Sequence, residues 1–281
     1  MGLYVNTNIN SLIAQRSLNG ANSGLQSAIK RLSTGYRVNQ AGDDAAGLCV
    51  AQGLETQIRG NKRALLNIQD GLNMMYIAEG GMSGVTEDLQ RIRELCIQAA
   101  NGVYSEAQQQ TLFNEVDERL ADIDVIANTT IFNGLNLANG TIQKNVTLQT
   151  GCGSDSTNNS IDITGALTDL NVSALGVEST LNGQSTGDEI RAYIEKLDDA
   201  INKIAENRSM LGAFQNRLSS ASDNLTIMNE NYEQSKSQIM DADMAEESAN
   251  MVKYQVLQQT SAAMLSQANN IPSIALQLLG Q

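Results

Sequence analysis

The chain has 281 residues, a formal net charge of −13, no histidine, no tryptophan and 4% aromatic residues. That length suffices for about two domains, and the acidity argues against nucleic acid as a partner. The missing histidines remove the commonest general base, the Ser–His and Cys–His pairs and most zinc sites, while so few aromatics disfavour a large compact core or an aromatic-lined ligand pocket.

Met1 to Leu12 carries no basic n-region and no apolar h-region, so no secretory signal peptide is expected. No run of 18 apolar residues exists to span a membrane. The protein therefore stays inside the cell or leaves by a route without a cleaved signal. Ile9, Leu12, Ile13, Leu25, Ala28, Ile29 and Leu32 fall at helical spacing, and Ser33-Thr34-Gly35 stops that helix. Residues 34–44 read as an irregular connector, with Asp43 or Asp44 capping the next helix.

From Ala45 to Gly102 a heptad places Ile68, Met75, Met82, Leu89, Cys96 and Val103 on one seam position and Ile58, Leu65 and Leu72 on the other. Gly47, Gly53, Gly60, Gly71, Gly80, Gly81 and Gly84 interrupt it, each costing about 1 kcal/mol against alanine in a helix interior. Close helix–helix packing at the glycines is the preferred reading; a break near Gly80-Gly81 is the alternative. Ser105-Glu106-Ala107-Gln108 is a capping box opening a third helix, with Leu112, Val116, Leu120, Ile123 and Ala127 on one face. Asn128 to Gly140 turns to Asn, Thr and Gly. Ile142, Val146 and Leu148, then Ile161 and Ile163, alternate on either side of a polar loop, 151–160, and predict a β-hairpin. Residues 164–185 are turn-rich.

Thr186-Gly187-Asp188-Glu189 is a second capping box, and it opens the longest element. Ile190, Leu197, Ile204, Leu211, Leu218, Leu225, Tyr232 and Ile239 fall seven residues apart without a slip. This spacing predicts one helix of about 75 Å, in a left-handed supercoiled partnership with other long helices. The interleaved position holds Ile194, Ile201, Arg208, Gln215, Ser222, Asn229 and Lys236, apolar at one end and half polar at the other. Asp241 to Asp243 ends this helix, and Asp243 with Glu246 caps a last one reaching about Leu279. From Tyr254 to Gln281 there is no charged side chain, and Val252, Val256, Ala263, Ile274 and Leu278 form a weak apolar stripe. This segment is too polar to span a membrane and lacks the basic face of an interfacial helix. Both uncharged ends are expected to be disordered in the isolated chain and to order by burial against copies of themselves.

Asp43-Asp44 and Asp241/Asp243 read as caps and turns, Asp122/Asp124 as a solvated helix face, and Met74, Met75 and Met82 as core. Cys96 on the seam reads as a small buried hydrophobe, and Cys152 as exposed in the hairpin loop. No catalytic residue, metal site or cofactor is expected.

Several motifs resemble bacterial flagellin. They are Asn6-Thr7-Asn8-Ile9-Asn10-Ser11-Leu12 with Ala14-Gln15-Arg16, Arg31-Leu32-Ser33-Thr34-Gly35-Tyr36-Arg37-Val38-Asn39, and Ala41-Gly42-Asp43-Asp44-Ala45-Ala46-Gly47-Leu48. Further along come Gln57-Ile58-Arg59-Gly60, Leu89-Gln90-Arg91-Ile92-Arg93-Glu94-Leu95, Leu211-Gly212-Ala213-Phe214-Gln215-Asn216-Arg217-Leu218, and Gln267-Ala268-Asn269-Asn270-Ile271-Pro272. The resemblance covers roughly the first 135 and last 95 residues, in the right order; the large variable outer domains of many flagellins are missing. It implies a mainly α fold, a long helical coiled-coil bundle with a small β-hairpin region. The expected divisions are 1–44 as an inner-tube helix and connector, 45–128 and 186–240 as an outer bundle, 129–185 as the hairpin and turn region, and 241–281 as the second inner-tube helix. The function implied is self-assembly into an extracellular flagellar filament for swimming, after unfolded export through the flagellum's own type III apparatus. Partners are further copies of the chain, an export chaperone, the filament cap and hook-associated proteins. At Gln90, Arg91, Leu95 and Glu115 the resemblance implies a site that either contacts neighbouring subunits or is read by a vertebrate Toll-like receptor. Cys49 stands where the family has a small apolar residue, which implies burial. Ser and Thr between 154 and 186 are the candidate O-glycosylation positions. A hook–filament junction protein is the alternative reading, against which the complete 89–95 and 211–218 motifs argue. An enzyme grafted onto the variable region is disfavoured by the lack of histidine and of any metal-ligand cluster.

Overall fold

The computed structural model describes residues 7–141 and 145–279, with side chains described through Asn270. Asn6 of the first motif and Ile142 of the expected hairpin lie outside the described residues, as do the side chains of Ile274 and Leu278. In chain order the elements are α1 (Ile9–Thr34), α2 (Ala45–Ala99), α3 (Glu106–Thr129), β1 (Ile131–Phe132), β2 (Leu135–Asn136), β3 (Thr147–Gln149), α4 (Ser156–Asn159), β4 (Ser160–Asp162), α5 (Val172–Leu175), α6 (Gly187–Met240) and α7 (Met244–Leu279). The protein is mainly α, with two small antiparallel strand pairs among the described residues. It forms two compact units: Met1–Ile58 with Glu230–Gln281, and Arg59–Asn229. These divide inside α2 and α6.

The second unit is organised by one seam. Ile190, Leu197, Ile204, Leu211, Leu218 and Leu225 of α6 are buried in a single cluster with Ile68, Met75, Met82, Leu89 and Cys96 of α2. Phe113, Val116, Leu120 and Ile123 of α3 complete it. A seven-residue repeat returns one side chain to the facing helix every two turns, so two such repeats interlock along their length. The helices run antiparallel: Arg93 pairs with Asp198 at 2.6 Å, while Glu79 accepts a hydrogen bond from Gln215 at 3.0 Å and meets Arg208 at 3.8 Å. Two polar seam positions of α6 are thus answered by one acid opposite. Val103 is not on the seam; it is 77% exposed, because α2 ends at Ala99 and the chain turns before α3. On α3 the buried face takes in Phe113, and Leu112 is only half-buried.

α2 passes through Gly80-Gly81 unbroken. Its glycines serve different ends. A Cβ at Gly60 would lie 2.5 Å from Cys152 Cβ, and one at Gly81 would lie 2.7 Å from Thr130 Oγ1, so here neighbouring chain lies directly on the helix backbone. Gly80 faces open space.

Capping boxes open α3 and α6. Gln108 Oε1 accepts from the Ser105 N–H at 3.0 Å, and Glu189 Oε2 accepts from the Thr186 N–H at 2.8 Å. The expected hairpin is β3–β4, with Leu148 opposite Ile161. A second one, β1–β2, stands in the Asn-, Thr- and Gly-containing stretch from Asn128 to Gly140. It turns through Asn133 and Gly134, both at positive φ (48° and 80°), as a tight two-residue turn of primed type requires. Asp124, read as part of a solvated face, instead accepts the Val172 N–H at 2.9 Å and anchors α5. Gln110 Oε1 accepts from the Gly183 N–H at 2.8 Å, and the Tyr193 hydroxyl donates to Val177 O at 2.6 Å. The turn-rich segment is therefore tied down by side chains of α3 and α6.

The glycine assignment is open to direct test in urea denaturation of the monomer. Gly80→Ala should stabilise by about 0.5–1 kcal/mol, the backbone-entropy difference in a helix interior. Gly60→Ala should destabilise, because the Cys152 Cβ cannot rotate away from the added methyl group.

Candidate assembly surface

The first unit is built on α1 and α7, which run antiparallel. Asn8 Nδ2 donates to Ala268 O at 2.7 Å, Gln258 Nε2 donates to Asn22 Oδ1 at 2.7 Å, and Arg31 pairs with Glu247 at 2.8 Å. Their seam is made of small residues. Ala14, Ala21 and Ala28, seven residues apart, are the buried positions of α1, flanked by half-buried Leu18, Leu25 and Leu32. From α7 come Glu247 and Ala268, both buried, with half-buried Met251, Tyr254, Gln258 and Leu265 between them. At Gly24 a Cβ would lie 2.5 Å from the Tyr254 ring, so the glycine is the seat for that ring.

A seam this narrow leaves the larger apolar side chains outside. Ile9, Leu12 and Ile13 are 56–59% exposed on α1; Val252, Val256 and Met264 are 54–61% exposed on α7. Val252, Val256 and Ala263, read as the apolar stripe of the last helix, therefore face away from α1. Between the two helices lies an open groove of about 430 Å³, lined by Ile13, Ala14, Ser17, Leu257, Met264 and Ala268 among others. The sequence led us to expect disorder in both ends of the isolated chain. The described parts of α1 and α7 are helical, and each covers a thin strip of the other.

The connector of this unit is held by backbone. The Arg37 N–H donates to Met240 O at 2.7 Å and the Ala242 N–H to Gly35 O at 2.9 Å, with Gly35 left-handed at φ 75°. Asp44 accepts from the Gly47 N–H at 2.8 Å and caps α2; Asp243 accepts from Ala245 and Glu246 and caps α7. Asp43 accepts from the Asn39 and Gln40 N–H groups, which hold its carboxyl below the usual range. Lys236, on the interleaved seam position, pairs with Glu55. Tyr232 and Ile239, the last two seam residues of α6, are both half-buried.

The four residues assigned to a receptor or subunit contact do not share one surface. Arg91 bridges Glu115 (3.1 Å) and Glu94 (3.2 Å) on the outside, and Gln90 is exposed beside it. Leu95 is 1% exposed and belongs to the core, since the α2 seam turns it inward with Ile92 and Cys96. Among Ser and Thr of 154–186, Ser154, Ser156, Thr157, Ser173 and Thr180 are among the positions open to solvent or partly so. Cys49 is exposed rather than buried, as is Cys152; Cys96 is buried. Among the described residues no cluster of three metal-ligating side chains occurs, and no helix is long and apolar enough to cross a membrane.

Paired helices whose larger apolar side chains point outward are the surface of a self-associating structural protein. Comparison with known proteins gives the family. Residues 5–143 match the bacterial flagellin N-terminal helical region and residues 194–279 the bacterial flagellin C-terminal helical region. The chain is 37% identical to the flagellar filament 33 kDa core protein of Treponema phagedenis and 36% identical to the flagellin of Bacillus subtilis (strain 168), in each case over 99% of this chain and 100% of the relative. A crystal structure of Bacillus cereus flagellin covers 57% of this chain and 88% of its own at 27% identity, with a TM-score of 0.48. This chain belongs to the bacterial flagellin family.

Burial pushes the Cys96 thiol up to about 12, so at neutral pH it carries almost no thiolate. Titration of the native monomer with a thiol reagent should therefore modify Cys49 and Cys152 promptly and spare Cys96 until denaturant is added. Mass mapping of the labelled peptides reads the result.

Proposed function

We propose that this protein is a structural subunit of the bacterial flagellar filament, self-assembling for swimming motility, and that neighbouring copies bury the outer stripes of α1 and α7. The observation that carries the second part is the exposure of Ile9, Leu12, Ile13, Val252, Val256 and Met264 on helices with few charges. Removing six half-exposed aliphatic side chains from water contributes about 5–9 kcal/mol. That is comparable with the lower end of the cost of immobilising a partner. One such contact is weak; a lattice in which every subunit makes several is not. The relatives matched over their whole length are filament proteins, which favours the filament over the hook–filament junction.

The same reading extends to the route. The chain is exported unfolded, a cytoplasmic chaperone covers the C-terminal segment beforehand, and the cap and hook-associated proteins meet the filament at its ends. An exposed apolar α7 supports the need for such cover before assembly. The protein's role is structural rather than enzymatic. Recognition by a vertebrate Toll-like receptor is a second reading, supported by the accessible Arg91–Glu115 pair; Leu95 supports that surface from beneath without touching a partner.

Seeded growth followed by electron microscopy and sedimentation tests the assembly surface. Ile13→Ser with Val256→Ser should leave monomer helicity near wild type and reduce filament mass at least tenfold. Undiminished filaments from that variant would overturn the assignment. For the receptor, Arg91→Ala should weaken a cell reporter response to monomer without lowering its stability, whereas Leu95→Ala should lower stability first, by about 2–5 kcal/mol, as a core truncation does.

A further inference from the structure

We propose that Asn61 and Asn229 form a buried amide pair that fixes the register of the two long helices in the second unit. Asn61 is 1% exposed and its Nδ2 has no hydrogen-bond acceptor; Asn229 is 7% exposed and its Oδ1 has no donor. One residue lacks what the other offers. They also stand at the same level. Arg93 faces Asp198, and Glu79 faces the turn between Arg208 and Gln215. Carrying that antiparallel register eighteen residues further, from 79 to 61 and from 211 to 229, sets the two asparagines opposite each other. In the proposed pair Asn61 Nδ2–H donates to Asn229 Oδ1.

The seam needs such a device because its apolar repeat is so regular. With Ile68, Met75, Met82, Leu89 and Cys96 on α2 and Ile190 through Leu225 on α6, a slide by one heptad again sets apolar residues against apolar residues. Packing alone separates the correct register from the slipped one poorly. The pairs of Arg93 and Arg208 are 40% or more exposed on both sides and discriminate little. The amides discriminate: a slide one way sets Asn229 against Ile68, and a slide the other way sets it against Leu54. An unpaired buried amide in hydrocarbon is unfavourable, and once the proposed pair has formed that penalty is left to the slipped states. A single polar layer specifying register at some expense of stability is a known property of coiled coils. This pairing belongs to the fold of one subunit and stands whether or not the assembly surface is correctly placed.

The test uses the full-length monomer. In a double-mutant cycle, Asn61→Leu and Asn229→Leu should each lower the folding equilibrium constant, and the double variant should be more stable than the sum of the singles by a factor of roughly five or more. Register is read by spin labels at Gln69→Cys and Ser220→Cys, both exposed sites, in a background with Cys49→Ser, Cys96→Ala and Cys152→Ser. The parent should give one narrow distance; the double-leucine variant should add a second, longer-distance population, because a slip of one heptad moves the labels about 10 Å apart along the helix axis. If leucine cannot be accommodated, alanine at both positions gives the same cycle and the same distances. Additive single effects, or one unchanged distance in the double variant, would overturn the proposal.

Discussion

A helix that presents one apolar side chain every seventh residue for most of its length cannot be stable alone. It must find a second helix with the same repeat, and the partner must be equally long. α6 and α2 meet that condition for each other, and most of the second unit follows from it. Once the two are zipped, a third helix covers the exposed side of the seam. The segment between α3 and α6 then has to return along that bundle, pinned by Asp124, Gln110 and Tyr193. The glycines of α2 fit the same logic. Where a loop side chain rides directly on the helix, as Cys152 does on Gly60, there is no room for a methyl group.

The two units use one geometry with opposite residue sizes. In the second unit the seam is Ile, Leu, Met and Phe, and these large side chains are buried, although Leu66, Ile97, Val125 and Ile227 among others stay exposed on the outer faces. In the first it is Ala14, Ala21 and Ala28 against α7, with Tyr254 seated on Gly24. Small seam residues bring helices close and bury little surface, so the large side chains remain available on the outside. The hydrophobic effect therefore builds a large-residue core in the second unit and only a thin alanine seam in the first.

This contrast also explains what could be seen in the sequence. The heptad of α6 was legible because its seam residues are among the most apolar in the chain, and the caps at Ser105, Thr186 and Asp243 because their motifs are local. The α1–α7 seam was legible only in part, through Leu25, Ala28 and Leu32. Alanine, serine and glutamine carry no hydrophobic signal, and the most apolar residues of those helices, Ile13 and Val256, belong to the outer stripe. A pattern search there finds the wrong face. The Asn133-Gly134 hairpin was legible in principle, since that dipeptide lies between Phe132 and Leu135, but a two-residue strand offers no alternation to support it. Glu79 as the common partner of Arg208 and Gln215, and Asp124 as the anchor of α5, depend on contacts between distant segments. Leu95 shows the complementary error. A motif names neighbours in sequence, yet on a helix Arg91 and Leu95 sit one turn apart, and the seam pulls only the second inward.

The outer stripes also bear on the form an assembly can take. A contact in which the same patch meets itself closes as a dimer, while a contact between two different patches repeats without end unless its rotation happens to close a ring. The stripe on α1 is built from Ile9, Leu12 and Ile13, and that on α7 from Val252, Val256 and Met264, with different shapes and spacings. They lie on two helices of one pair, so under the proposed assembly a single subunit can offer both halves of a heterologous contact. Such a surface stays soluble only if each contact is weak. Gln, Ser, Asn and Ala between the apolar residues keep it so, and the absence of charge from Tyr254 onward removes repulsion that would oppose stacking of many copies. Stability then comes from the number of neighbours rather than from the strength of any one contact, which is the condition for a polymer long enough to act as a propeller.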